Sequence, residues 1–503
     1  MREGRVIIPM LLRNLVQVLP SATVEGALDR EIAGLTYDSR RVTPGMLFVA
    51  IPGQHADGHE FIGAAVERGA SAILCERQRS VPARVTQICV PDVREALASA
   101  SRVYFEDPSA KLKVIGVTGT NGKTTVAFMV KAILEATGTK TGLLGTVRYE
   151  IGDRMIPAQR TTPEALEVQQ MLAQMKKADC AACVMEVSSH ALEQKRVHGV
   201  AFDVGIFTNL TRDHLDYHGT MENYFAAKQK LFANLGRADK KSAAVINIDD
   251  SFGARLVGTP NVEVELTYGL EKSARLRATR IELNPDGSRF VVEAPDRKFA
   301  VRLPLIGRHN IYNALAALGT GLVFQVDVVK MQAALNALHP VPGRLESVAA
   351  GQPFGVFVDY AHTDDALRNV LATLREITPG RVLLTFGCGG NRDAGKRARM
   401  GQVAAQLADL TVITTDNPRK EDPARIAAQI EEGYRAVRSD GYTLELDRRL
   451  AIQQVLEKAR PTDSVLIAGK GHETYQEFED TVVPFDDRVH AREALEALGF
   501  SGS

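Results

Sequence analysis

The 503-residue chain has only five cysteines, no excess of either charge, and no long apolar run near its start. Five cysteines fit no disulfide framework, which points to a reducing cytoplasm. Lys plus Arg and Asp plus Glu each total 61, so no overall field favours nucleic acid or an anionic membrane. The stretch from Val6 to Leu12 is too short for a secretory core or a membrane span. Internal repeats, low-complexity tracts and long linkers are also missing. Cys180 and Cys183 make a CxxC, but it runs into an expected strand, Val184 to Val187, with no second pair elsewhere. Buried strand thiols are expected there, not redox or zinc chemistry.

What remains is an ordinary globular composition, 45% hydrophobic and 24% charged, in a chain too long for one core. Three blocks are expected, 1–109, 110–340 and 341–503. The first ends near Pro108, where EDPSAKLK leads into an apolar strand. The second holds a strand-rich stretch between about Val262 and Leu305, followed by the helix GRHNIYNALAAL. His339-Pro340-Val341-Pro342-Gly343 opens the third. In blocks two and three, short β-branched runs alternate with amphipathic helical ones, so parallel sheets wrapped by helices are expected. The predicted fold class is α/β.

Polar motifs fall at the ends of these strands. TGTNGKTT, EVSSH and TNLTRDH do so in block two; VFVDYAHT, LLTFGCGGNRD, TVITTDNPR and VLIAGKGHE do so in block three. Open parallel sheets bind ligands at their carboxyl edge. Two such edges imply a cleft between two domains.

The segment KVIGVTGTNGKTT carries the most specific chemistry. Val114 to Val117 reads as a strand, Gly119, Asn121 and Gly122 as a loop, and Lys123-Thr124-Thr125 as a helix start. Val126, Met129, Val130, Ile133 and Leu134 recur at helical spacing, and Gly138 ends the run. Backbone amides, a helix dipole and the Lys123 charge converge there on phosphate. Thr124 suits the magnesium of a triphosphate. Val117 stands where the first glycine of the usual P-loop belongs.

Other residues allow two readings. Glu186, after a buried strand, could hold magnesium or cap the next helix. Asp213, His214, Asp216 and His218 could form a zinc site, although no HExxH or cysteine supports one; His214 as a single metal ligand is more economical. Lys228 reads by periodicity as a surface lysine on an amphipathic helix. Arg392 and Arg419, past strand ends, could each make a structural ion pair. Together with Glu473 they suggest a ligand bearing both carboxylate and ammonium.

The ordered motifs TGTNGKTT, TTP (Thr161 to Pro163), EVSSHAL, TNLTRDHLDYHG, YFAAK, GRHN, PGR (Pro342 to Arg344), DYAHT, DNPR and GKGHE resemble the Mur ligase family. They run from Asp38-Ser39-Arg40 to Glu473. The nearest branch adds meso-diaminopimelate to UDP-N-acetylmuramoyl-L-alanyl-D-glutamate with ATP, in peptidoglycan synthesis. The resemblance implies a UDP-substrate domain, a central P-loop-type ATP domain and a Rossmann-like amino-acid domain. It places Ser39 and Gln54-His55-Ala56 on the UDP part, and Thr161, Thr162, Ser188, Gln194 and Arg196 on the muramoyl dipeptide. Gly119, Thr120, Asn121, Gly122, Lys123, Thr124, Thr125, Asn310, Arg344 and Asp359 would serve ATP. Arg392, Asp416, Asn417, Pro418, Arg419, Gly469 and Glu473 would hold diaminopimelate. Lys228 matches a lysine that is carbamylated in the family. Two Mg2+ ions would rest on Thr124, Glu186, His214 and carbamylated Lys228. A cytoplasmic monomer with no nucleic-acid or membrane partner is implied. Asp364 departs from the family pattern, standing where proline follows DYAHT, which puts the rigidity of that loop in question. A lysine-adding ligase, a folylpolyglutamate-synthase-like ligase and a regulator that has lost ligation are the alternatives.

Overall fold

Aliphatic and β-branched runs of the sequence form the strands of three main sheets. The structure, a computed structural model, describes residues 10–53, 56–271, 273–284, 286–339 and 341–501. Gln54 and His55 therefore lie outside the described residues.

The N-terminal sheet has five strands in the order Thr23–Glu25, Thr86–Cys89, Ala72–Cys75, Met46–Val49 and Gly34–Thr36, parallel except at Thr23–Glu25. The helix Val93–Tyr104 packs on it through Val93, Ala96, Leu97 and Ala100. Its start is set by Asp92, whose side chain accepts from the Glu95 amide.

The central sheet has eleven strands. Its middle is parallel: Thr141–Leu144, Ala182–Glu186, Lys113–Thr118, Val204–Phe207, Ala243–Asn247, Val264–Gly269 and Leu276–Asn284. An antiparallel pair, Arg148–Ile151 and Arg154–Pro157, closes one edge. Gly287–Ala294 and Arg297–Leu303 close the other. Strand Lys113–Thr118 is buried on both faces, which is why it reads as a continuous apolar run. Ile115 and Val117 meet the helices Lys123–Glu135 and Arg308–Val323, while Val114 joins Phe202 and Leu231 on the opposite face. A full side chain of this kind stabilises by roughly 1.5–3 kcal/mol when buried. Cys183 lies inside its strand, Cys180 is buried just before it, and all five cysteines are free.

The C-terminal sheet orders Glu346–Ser347, Gly355–Asp359, Ser464–Ala468, Val382–Phe386, Leu410–Ile413 and Tyr442–Leu444, parallel after the first pair. Arg448 and Asp487, both fully buried, brace its carboxyl edge. Arg448 makes two hydrogen bonds to Asp487, at 2.7 and 2.8 Å, and donates to the carbonyls of Thr415 and Ala468. Removing one partner of such a pair costs about 3–5 kcal/mol. Asp364 is the first residue of the helix Asp364–Ile377, behind a Thr363 cap that accepts from Ala366. Proline and aspartate both suit that position, one through its fixed φ and the other through the helix dipole. The departure therefore keeps the helix start. No described helix is long and apolar enough to cross a membrane.

Candidate active site

The parallel register of the central sheet brings the phosphate loop, Glu186 and Thr208 to one edge. Gly119 and Gly122 have φ of +146° and +86°. A Cβ on Gly119 would collide with the Thr208 hydroxyl, and one on Gly122 with the Asn313 amide. Only glycine lets the chain turn this tightly there. Contacts with Asn209 stiffen the loop: the Thr120 amide donates to the Asn209 carbonyl at 2.8 Å and the Asn121 amide to the Asn209 side-chain Oδ1 at 2.9 Å. Thr125 is buried in the first turn of the following helix.

Two buried lysines converge on this loop. Lys123 Nζ donates to the carbonyls of Gly119 and Thr120 at 3.0 and 2.7 Å, and Lys228 Nζ donates to the same Gly119 carbonyl at 2.7 Å. Lys228 is 1% exposed, so the surface position expected from periodicity is wrong. Helix Met221–Ala233 is buried at Tyr224, Phe225, Ala227, Lys228, Leu231 and Phe232. Its inward face reaches the phosphate loop, and Lys228 lies on that face. Burial, and then the charge of Lys123, push the Lys228 amine well below its ordinary range. Burial lowers Lys123 too, against the pull of Glu186 and Asp213.

Glu186 is buried and accepts from the Thr124 hydroxyl at 3.0 Å, the Thr146 hydroxyl at 2.9 Å and the Thr146 amide at 2.8 Å. The helix after it is capped instead by Ser188, which accepts from the Ala191 amide. The capping alternative for Glu186 is thereby removed. His214 sits at φ +53° with Nε2 3.4 Å from Asp213. Burial lowers it to about 3 despite Asp213, leaving a neutral imidazole. Burial opposes the Asp213 carboxylate, but His214, His362 and Lys396 together hold it below the usual range. His218 turns away from that group, its Nε2 2.9 Å from the Ser189 hydroxyl. Among the described residues no cluster of three His, Cys, Asp or Glu could hold a metal, so the zinc alternative has no support.

The third sheet faces this edge. Arg344 donates to the Thr124 hydroxyl at 3.3 Å and lies over the Tyr360 ring. Asp365 accepts from Asn121 Nδ2 at 2.8 Å and from the Thr211 hydroxyl at 3.1 Å. Asp359 accepts from the Leu345 amide at 2.7 Å, and burial raises its carboxyl against the opposing Arg344. Asn310 reaches the loop indirectly, through a 3.0 Å hydrogen bond from Asn313. The two carboxyl edges thus meet across a cleft.

On the far side of that cleft lies a cluster of charged and polar side chains. Asn417 Nδ2 donates to Glu473 at 2.9 Å, and Gly469, at φ +116°, packs against Asp416. Lys470, fully buried, donates to Asn417 Oδ1 at 3.0 Å and to Glu473 at 3.1 Å, with Asp416 at 3.7 Å. Burial and then Asp416 raise the Glu473 carboxyl, while Lys470 opposes them. Pro418 precedes Arg419, whose Nε is 2.8 Å from Glu477. Arg392 is exposed on the neighbouring loop, with no ion pair among the described residues.

Three family models match the chain in order: the Mur ligase family catalytic domain at 31–105, the Mur ligase middle domain at 117–321, and the Mur ligase glutamate ligase domain at 343–471. A UDP-N-acetylmuramoyl-L-alanyl-D-glutamate–2,6-diaminopimelate ligase of Syntrophomonas wolfei is 45% identical over 96% of this chain and 99% of its own. The enzyme of that name from Geobacillus thermodenitrificans is 45% identical over 97% and 99%. This chain belongs to the Mur ligase family. A solved structure of a ligase with the same name superposes with a TM-score of 0.70, at 32% identity over 98% of this chain and 100% of the other. The MurF ligase of Thermotoga maritima, solved with ADP, shares the fold at a TM-score of 0.61 and 20% identity, over 87% and 94%.

In this Mur ligase the residues matched to the muramoyl dipeptide form one connected group. The Thr162 hydroxyl donates to the Glu186 carbonyl at 2.8 Å and accepts from the Ser188 amide at 3.1 Å. Arg196 donates to the Thr162 carbonyl at 3.1 Å and to Gln194 at 2.6 Å, and Thr161 lies 3.1 Å from the Thr146 hydroxyl. Ser39 opens a turn capped by Asp38, and Ala56 is exposed. Sequence reasoning missed Lys470, Asp365, Thr146 and Arg448. The GKGHE motif contained Lys470, but only tertiary packing shows it buried among Asp416, Asn417 and Glu473.

Proposed function

We propose that this enzyme joins meso-diaminopimelate to UDP-N-acetylmuramoyl-L-alanyl-D-glutamate, with ATP converted to ADP and phosphate. The supporting observation is the phosphate loop facing the cluster of Arg419, Asn417, Asp416 and Glu473 across a cleft bridged by Arg344 and Asp365. Full-length relatives carrying that activity in their names support the same reading. Residues 1–109 would hold the UDP end, 110–340 ATP, and 341–503 the amino acid. The work would be done by a monomer in the cytoplasm, without nucleic acid or membrane.

Amide formation in water is uphill, so the carboxylate must be activated first. The γ-carboxylate of the D-glutamate attacks the γ-phosphorus of ATP, and ADP leaves. The diaminopimelate amine, having lost its proton, then attacks the acyl phosphate and phosphate departs. Two anions meet in the first step, and Lys123 and Arg344 supply fixed positive charge at that point. The loop amides orient the triphosphate, and the Glu473 and Asp416 carboxylates suit the ammonium of the amino acid.

Magnesium fits part of this donor set. Thr124 and Glu186 present hard oxygens 3.0 Å apart, and neutral His214 keeps a free lone pair. These residues, with Lys228 as a carbamate, would hold two Mg2+ ions that offset phosphate charge. Carbamylation needs a neutral amine, which adds to CO2 and releases a proton, and the depressed Lys228 provides one. An amino-acid panel read by phosphate release, with borohydride trapping of the acyl phosphate when the amine is omitted, tests the proposal. Release that is supported by lysine and not by diaminopimelate would reassign the substrate.

A further inference from the structure

The hairpin of Tyr475–Phe478 and Thr481–Pro484 is separate from the C-terminal sheet among the described residues. Its inner strand runs beside the loop from Asp416 to Arg419. Gln476 Nε2 donates to the Asp416 carbonyl at 2.9 Å and the Glu477 amide to Asn417 Oδ1 at 3.1 Å. The Arg419 amide donates to the Glu477 carbonyl at 3.0 Å, and the Glu479 amide donates to the Arg419 carbonyl at 2.6 Å. Arg419 has φ +52°, a region that side chains rarely adopt, and it is held there from both sides.

The side chain is held as well. Nε donates to Glu477 Oε2 at 2.8 Å and Nη1 to the Gly390 carbonyl at 2.9 Å. A guanidinium has five N–H donors. Two are used, and the edge formed by Nη1 and Nη2 keeps donors with no partner among the described residues. That edge matches a carboxylate in a bidentate pair. A carboxylate beside an arginine could instead compete with the incoming one. Here Glu477 takes the Nε side, so it orients the guanidinium and leaves the outer edge open.

We infer that Glu477 is a specificity-positioning residue, fixing Arg419 so that its outer edge receives the distal carboxylate of diaminopimelate. The inference rests on the substrate reading given under Proposed function. Glu477 never touches the reacting atoms; it acts through Arg419.

The test compares the full-length chain with Glu477→Ala and Glu477→Gln. Phosphate release is followed with ATP and UDP-muramoyl dipeptide while diaminopimelate or lysine is titrated. Glu477→Ala should raise KM for diaminopimelate about tenfold, the equivalent of one charged hydrogen bond. It should lower kcat less and shift lysine far less, so the kcat/KM ratio of the two amino acids falls about tenfold. Glu477→Gln keeps an acceptor for Nε and should restore most of that ratio. A KM for diaminopimelate that stays or falls, or equal losses on both amino acids, overturns the inference. If the alanine variant fails to fold, Glu477→Asp replaces it, and its shorter carboxylate must lower the same ratio. A wild-type chain that releases no phosphate with diaminopimelate refutes the substrate reading itself, which is a separate result.

Discussion

The two sides of the cleft treat buried charge in opposite ways. At the phosphate loop Lys123 and Lys228 crowd one carbonyl; burial lowers both amines, and the charge of Lys123 lowers Lys228 further. In the C-terminal cluster Lys470 is surrounded by Asp416, Asn417 and Glu473, and Arg419 is paired with Glu477. Two cations side by side are costly in a low-dielectric interior, so Lys228 is driven toward its neutral form while Lys123 keeps its charge for an arriving anion. Matched charges do not attract a ligand by field alone; they hold side chains in one geometry. One side is built to neutralise, the other to discriminate.

That contrast is most easily broken at Lys123. Lys123→Ala should cut ATP-driven ligation by about a thousandfold or more, measured as phosphate release. An active alanine variant would mean that the loop amides suffice and that the charge excess serves something else. Lys228→Ala should cost roughly a hundredfold, with bicarbonate or a short carboxylate restoring a little activity. Full activity without either supplement would remove the carbamate from the scheme.

On the discriminating side the expected effect is smaller and selective. Arg419→Ala should raise KM for diaminopimelate by about tenfold to a hundredfold, with far less change for lysine. Comparable damage with both amino acids would make Arg419 a structural residue only.

Acid sharpens the comparison, because histidines line both sides. Burial holds His214 at about 3 and His362 at about 4, and His472, lowered first by burial and then by Arg344, at about 3. Their unfolded values lie near 6.5. Between these limits the unfolded chain binds more protons, so stability present above pH 6.5 is lost as pH falls toward the folded values. Tm should drop by roughly 5 °C or more between pH 7 and 5. A flat Tm profile over that range would show that these imidazoles take up protons when folded.

Parallel sheets with glycine-rich carboxyl edges were legible because β-branched runs and glycines encode backbone geometry locally. Strand Lys113–Thr118, the loop and helix Lys123–Glu135 follow from composition and spacing alone. Lys228 shows the limit: helical spacing marks a polar stripe, but not that the stripe faces a phosphate loop 109 residues away in sequence. The same holds for Glu477, 58 positions from the arginine it orients, and for Asp365, 244 positions from Asn121. Local sequence determined the strands, turns and helix starts, since propensity, glycine conformation and capping act over a few residues. Tertiary structure alone decided which charges meet, because burial and partner distance, which set their energies, arise only when distant segments pack together.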